Sequence, residues 1–319
     1  MAEWLYEAGV GEARAALVSR GEIWKARIEV DGTHPRVGGI HRARLSEING
    51  PRTGRVTLDD GGDALIEPLP PGITQGAALT VRIVREAIVE RGRLRLPKSV
   101  PGEGAAQPGP DLLGRIAATG LAVRRCQAHE ADRFEEAGWS EVLDEAATGD
   151  IAFPGGFLRM AVTPAMTLFD VDGAPPHGPL AIAAAHAVAR AIERHGIGGS
   201  IGVDFPTLAN KAERQAVADA IDAALPQPFE RTAMNGFGFL QIVRRRERAS
   251  LPEAIAADRT GYEARAMLRR IERIPPPLPA THIVPARLRR RIESEPNWIA
   301  ELARRTGAPV TFVAEQEKP

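Results

Sequence analysis

The chain has 319 residues, 44% of them hydrophobic, enough to bury more than one core and too apolar for wholesale disorder. Forty-one basic residues balance 41 acidic ones, which excludes a whole-chain positive field as the basis of any nucleic-acid affinity. The single cysteine, Cys126, excludes an intramolecular disulfide and any site built from paired thiolates, as expected of a cytoplasmic protein.

Residues 1–10 lack a basic stretch followed by an apolar core, and no apolar run reaches membrane-spanning length, so neither a signal peptide nor a membrane partner is expected. Residues 1–100 read as mostly β. Extended runs at 23–30, 38–45, 54–58, 79–84 and 91–96 are separated by turns such as Asp31-Gly32 and Asp59-Asp60-Gly61-Gly62, a spacing that predicts a small β-barrel. Residues 101–110, rich in Pro and Gly, read as a linker. Helical periodicity follows at 128–137 and 140–147, with Ser140 as the expected N-cap of the second helix.

Between 151 and 246, strands and long helices alternate: strands at 157–162 and 166–171, a helix at 180–195, a strand at 200–205, a helix at 211–225 and a strand at 237–243. This order predicts a sheet covered by helices. A helix at 263–274 is broken by Pro275-Pro276-Pro277, and a helix near 298–306 with a strand at 310–313 closes the chain.

Three carboxylates stand out. In Leu168-Phe169-Asp170-Val171-Asp172, period-two alternation places Asp170 and Asp172 on one face and Phe169 and Val171 on the other. Asp204 sits likewise between Val203 and Phe205. A carboxylate inside an apolar strand costs free energy unless it is paired, hydrogen-bonded or on a metal. Mg²⁺ suits such a place, because it prefers oxygen ligands and often uses one or two carboxylates plus substrate phosphate oxygens. An Asp at a strand end also commonly caps a turn, so spacing alone leaves both readings open. No zinc-type His/Cys spacing and no phosphate-loop motif occurs.

Three blocks, in order, resemble the ribonuclease E/G family. They are Phe153-Pro154-Gly155-Gly156-Phe157-Leu158 running through Thr163-Pro164-Ala165-Met166-Thr167-Leu168-Phe169-Asp170-Val171-Asp172; Ile197-Gly198-Gly199-Ser200-Ile201-Gly202-Val203-Asp204-Phe205; and Phe237-Gly238-Phe239-Leu240-Gln241-Ile242-Val243-Arg244-Arg245-Arg246. Residues 79–96 are similar to the last strands of the family's RNA-binding barrel, and residues 298–313 to its small terminal domain.

The resemblance implies an α+β chain with an N-terminal OB-like β-barrel (residues 1–100), a central DNase I-like α/β catalytic domain (111–250) and a small C-terminal αβ domain (258–319). It implies Mg²⁺-dependent endonucleolytic cleavage of single-stranded RNA, in RNA processing or decay, leaving a 5′-phosphate and a 3′-hydroxyl. Asp170 and Asp204 fall on the metal-holding aspartates, and Asp172 falls where the family has an Asn that orients the first of them. Arg85, Arg91, Arg244, Arg245 and Arg246 are the expected phosphate contacts. The sequence departs from the family in three places. No cysteine lies between Arg248 and Tyr262, so any homo-oligomer forms without a zinc bridge. Residues 101–110 stand where larger members carry a 5′-end-sensing region. Thr57 and Leu65 occupy the barrel positions where base-stacking aromatics are expected. These departures also fit an RNA-binding protein of the same ancestry with weak or no nuclease activity, or a scaffold turned to regulation.

Overall fold

The computed structural model describes residues 1–32, 35–90 and 92–315. It is a mixed α+β chain with a closed five-stranded barrel near the N-terminus. The chain begins with an antiparallel meander, β1 (Glu3–Ala8), β2 (Glu12–Ser19) and β3 (Glu22–Val30). The barrel follows, from β4 (Ile40–Gly50), β5 (Thr53–Leu58), β6 (Asp63–Ile66) and β7 (Ala78–Arg85). The short hairpin of β8 (Ile88–Glu90) and β9 (Arg93–Arg95) leads into β10 (Lys98–Pro101). Closure falls to β10, which pairs parallel with β6 at Lys98↔Leu65 and antiparallel with β7 at Ser99↔Ile83. Leu45, Val56, Ile66, Val81 and Ile83 fill the interior. The stretch read as a linker is fastened to the barrel, since Gln107 and Ile40 exchange both backbone hydrogen bonds at 2.9 Å.

After the barrel the chain returns to the first sheet. Helix α1 (Leu112–Ala117) covers one face, packing Leu112 and Ile116 against Trp4 and Ala15. Strand β11 (Val123–Arg125) then joins the edge, parallel to β1. The other face is covered by α2 (Arg133–Glu136) and α3 (Trp139–Thr148), whose Phe134 and Trp139 pack with Leu5, Ala16 and Ile23. Of the helix expected at 128–137, only one turn forms. Asp132 caps it, accepting from the Phe134 N–H at 3.1 Å, while the same carboxylate pairs with Arg14 and Arg273. Ser140 is not the cap of α3. Trp139, fully buried, begins that helix after Gly138 in the left-handed region (φ 89°).

The second sheet contains β12 (Asp150–Phe153), β13 (Gly156–Val162), β14 (Thr167–Gly173), β15 (Gly199–Asp204), β16 (Glu230–Arg231) and β17 (Phe239–Arg244), in the order β12-β13-β14-β15-β17-β16. Only the β14–β15 pair is parallel. The crossover between them is α4 (His177–His195), and α5 (Lys211–Ala224) follows β15. Both helices pack on one face, with Ala184, Val188, Ile192, Val217 and Ile221 against Leu158, Phe169, Val203 and Leu240. The sheet's alternation follows: one face apolar and buried, the other open and mixed, with charged and apolar side chains.

Helix α4 ends at Gly196 (φ 65°), and Arg27 of β3 donates to the carbonyls of Glu193 and Arg194 in the last turn at 3.3 and 3.1 Å. Burial pushes this guanidinium down to about 10. Beside it, His195 has a side chain with no exposure, and its Nε2 lies 3.3 Å from Glu145 of α3. Burial pushes the imidazole below its usual range despite that carboxylate.

The chain finishes with α6 (Leu251–Ala257), α7 (Arg259–Glu272), β18 (Thr281–Val284), α8 (Ala286–Glu293), α9 (Pro296–Thr306) and β19 (Thr311–Ala314), which pairs parallel with β18. Leu268, Leu288, Ile292, Trp298, Leu302 and Phe312 form their core. Buried ion pairs tie α7 to the first sheet. Glu12, 2% exposed, receives Arg265 at 2.8 Å and also Arg269, while Glu7 receives Arg14 at 2.8 Å and Arg273 at 2.7 Å. No helix among the described residues is long and apolar enough to cross a membrane.

Glu12→Gln leaves two buried guanidinium groups without their anion, and a loss of about 3–5 kcal/mol is expected in urea unfolding; a change below about 1 kcal/mol would show that the network is not a tie. His195 is protonated more readily in the unfolded chain than in the folded one. Stability is therefore full above the ordinary histidine range near pH 6.5 and falls as pH drops below it. Unfolding curves at pH 7.5 and 5.5 should show this loss, and His195→Gln should flatten it; an unchanged slope in that variant would place the dependence elsewhere.

Candidate active site

Asp170 lies on β14 and Asp204 on β15, and the parallel register pairs them directly, Asp170↔Asp204. Neighbouring strands lie about 4.8 Å apart, so the two carboxylates stand side by side. Both are exposed, while Phe169, Val171, Val203 and Phe205 on either side of them are buried. The row continues across the sheet. Arg159 of β13 is the partner of Asp170, and Phe239 of β17 is the partner of Asp204. Asp172 stands two residues along on the same face, with a carboxylate oxygen 3.7 Å from the Arg159 guanidinium.

Gly202 shapes the floor beside this row. A methyl group there would lie 2.7 Å from Phe239 Cζ, 2.8 Å from Leu168 Cδ2 and 3.0 Å from Met166 Sδ. These three side chains lean into the space a larger residue would fill, making an apolar surface next to the carboxylates. Further along, Gln241 donates to the Ser200 hydroxyl at 2.8 Å. The turn before β17 is held by Asn235, whose side chain accepts from the N–H groups of Phe237 and Phe239 at 2.9 and 3.0 Å, and Phe237 is 83% exposed.

Two concavities of the molecule lie elsewhere. One is between α3 and α7, and another is where β3, the β8–β9 hairpin and residues 245–250 meet. An enclosed pocket is the usual home of a small ligand. An open sheet face bearing charge suits an extended chain laid across it.

Among the described residues, no group of three or more His, Cys, Asp or Glu side chains is arranged to hold a metal ion. Two adjacent, exposed carboxylates are a smaller donor set. They fit Mg²⁺, which keeps several waters and takes its remaining oxygens from a phosphate. They do not fit a dehydrated structural cation.

Arg244 is not beside the carboxylates. Arg244 pairs with Gly199, at the opposite end of β15 from Asp204. Five residues of strand separate them, roughly 17 Å. Arg244 reaches Glu193 at 2.8 Å, and Arg246 reaches Glu90 at 2.8 Å and Glu253 at 2.6 Å. Arg245 is 65% exposed, with Glu247 at 3.3 Å. Arg85 donates to the Leu96 carbonyl at 2.8 Å. Arg91 lies outside the described residues. Two arginines of α8 are similarly balanced, Arg289 by Glu293 at 2.8 Å and Arg291 by Glu295 at 2.9 Å.

Sequence reasoning passed over Arg159. Its signal was present: in Phe157-Leu158-Arg159-Met160-Ala161, the alternation that buries Leu158 and Met160 turns Arg159 to the face of its partner Asp170.

No family model matches this chain. Over 132 residues, 38% of the chain, it is 26% identical to ribonuclease G of Escherichia coli (strain K12), and the same figures hold for ribonuclease G of Shigella flexneri and of Salmonella typhimurium (strain SL1344). The match covers 27% of the length of these curated relatives. The relationship is distant and partial.

Like charges directly opposite on neighbouring strands are destabilising by about 0.2–1 kcal/mol. Asp204→Asn should therefore keep or slightly raise the melting temperature at low salt without divalent ions. Millimolar Mg²⁺ should raise the melting temperature of the wild type and not of the variant; equal shifts in both would remove the carboxylates from any cation site.

Proposed function

We propose that the chain is a Mg²⁺-dependent endoribonuclease of the ribonuclease E/G type, acting on single-stranded RNA. The observation that carries this reading is the in-register pair Asp170 and Asp204 on the open sheet face. The distant similarity to ribonuclease G and the three ordered sequence blocks support it. In this reading the second sheet with α4 and α5 is a DNase I-like catalytic unit within residues 111–250. The five-stranded barrel within residues 1–100 is an OB-like RNA platform, and residues 258–319 form the small terminal domain.

Asp170 and Asp204 would hold the ion between them, with Asp172 tuning the charge of the site. The ion, when bound, supplies positive charge to a non-bridging oxygen of the scissile phosphate. The protein's own part is placement. The open face accepts an extended strand, and the apolar floor of Leu168, Met166 and Phe239 excludes water from one side of the row. Water adds to phosphorus as the bond to the 3′-oxygen breaks, and the products are a 5′-phosphate and a 3′-hydroxyl. Arg85 and Arg244 to Arg246, gathered where the barrel meets the second sheet, would guide RNA at a distance from the cut. Their existing carboxylate partners lower what each adds to affinity.

One observation favours a second reading, an RNA-binding protein without nuclease activity. Thr57 and Leu65 face outward on the barrel, and Thr57 is hydrogen-bonded to Asp63 at 2.8 Å, so neither offers a ring for stacking.

With a 5′-labelled single-stranded RNA, cleavage should require Mg²⁺ and should fall by about a thousandfold in Asp170→Asn and Asp204→Asn, with melting temperatures measured without divalent ions no lower than the wild type's. Full activity in both variants would sink the nuclease reading; binding without cleavage in the wild type, in Mg²⁺ and in Mn²⁺, would select the second.

A further inference from the structure

We infer that Arg159 is a catalytic residue that contacts the phosphate undergoing cleavage, and that Asp172 positions this guanidinium instead of serving as a third ligand to the ion. The inference rests on the nuclease reading and adds a residue and a division of labour to it.

Arg159 is the basic member of the cross-strand row that runs Arg159, Asp170, Asp204, Phe239. Its stem starts one strand away from Asp170, a separation of about 5 Å. An arginine side chain crosses that distance without leaving the face. The guanidinium is available. Its ion pair, to Asp172, is 3.7 Å long, with side-chain exposures of 64% and 51%. A pair this open contributes little and exchanges readily. By contrast, Arg244, Arg246 and Arg231 are each held by a carboxylate at hydrogen-bond distance. Only Arg159 among these has both a place in the row and donors left over.

The charges on the face also require it. Three carboxylates stand together on two strands, and a phosphodiester brought to them is repelled. One divalent ion offsets two of those charges. A guanidinium is suited to offset the next, because its planar fork donates two parallel N–H bonds to phosphate oxygens. Charge that builds on those oxygens in the transition state is then met by a donor already in place. Asp172 completes the arrangement. Standing diagonal to Arg159 on β14, two residues off the row, it holds the guanidinium on this face and releases it when a phosphate arrives.

The test uses the full chain with Mn²⁺ as the metal probe and a labelled single-stranded RNA. Arg159→Ala should lower the cleavage rate about 100-fold, and Arg159→Lys should recover part of it, while Mn²⁺ affinity and melting temperature stay at wild-type values. Asp172→Asn should leave Mn²⁺ affinity unchanged and slow cleavage less than Arg159→Ala does. A salt titration of RNA binding in an inert-metal background should show the Arg159→Ala slope reduced by about 0.7, the value of one phosphate contact on a single strand. Wild-type cleavage in Arg159→Ala, with Asp204→Asn inactive, would overturn the inference and leave the nuclease reading standing. No cleavage by any form, with the salt slope still lowered in Arg159→Ala, would keep the phosphate contact and remove the nuclease reading. An unchanged slope in a chain that does not cleave would remove both. Weakened Mn²⁺ binding in Asp172→Asn would return that residue to the ion.

Discussion

Two carboxylates side by side on adjacent strands repel each other, and a fold that keeps them there must hold the strands by other means. In this chain the holding is done beneath them. Phe169 and Val171 of β14 and Ile201 and Val203 of β15 are buried against α4 and α5. A slip of one residue in register would turn those apolar side chains out and the aspartates in. The hydrophobic face therefore fixes the register, and the register fixes the pair. Gly202 contributes from the open side by leaving room for Phe239, Leu168 and Met166 next to Asp204. The candidate site is a consequence of core packing one layer below it.

The same dependence runs outward. Helix α4 makes the β14–β15 parallel connection, and its C-terminal end is closed by Arg27 from the first sheet and neighboured by Glu145 from α3. The first sheet is in turn tied to α7 by Glu7 and Glu12, each accepting two arginines. Buried ion pairs of this kind are poor sources of net stability, because desolvation offsets their attraction. Their effect is orientation: an arginine that finds no carboxylate in the wrong arrangement disfavours that arrangement strongly. The barrel enters this frame as an insertion between β3 and α1, joined through Glu86, whose N–H donates to the Glu247 carbonyl and whose carboxylate pairs with Arg248 at 2.9 Å.

Balanced charge has a local meaning here. The equal numbers of acids and bases are not spread evenly. Arg244 and Arg246, expected from the sequence to contact phosphate, are paired with carboxylates, as are Arg289 and Arg291 in α8. The open face of the second sheet is different, carrying Asp170, Asp172 and Asp204 against Arg159. A neutral chain can thus carry an acidic face on one sheet and basic groups that serve the fold elsewhere.

Much was legible from the residues alone. Period-two and helical patterns located the strands and helices around 151–246, because those elements bury one face and expose the other. The turn residues located three barrel strands, β4, β5 and β7, whereas the run at 23–30 belongs to the first sheet and the short barrel strands β6 and β10 gave no readable pattern. The patterns were silent on the strands at 3–19, where Ala15 and Ala16 are both fully buried because helices cover both faces of that sheet. They misplaced the start of α3, where the burial of Trp139 overrode the capping preference of Ser140. For the site, sequence determined that Asp170, Asp172 and Asp204 sit on strands with apolar opposite faces, since alternation is a local property. Only tertiary structure decided that Asp170 faces Asp204, that Arg159 completes their row, and that Arg244 to Arg246 lie at the far end of the strand. Those are facts of register between strands distant in the chain, and register is set by which apolar side chains the helices of α4 and α5 cover.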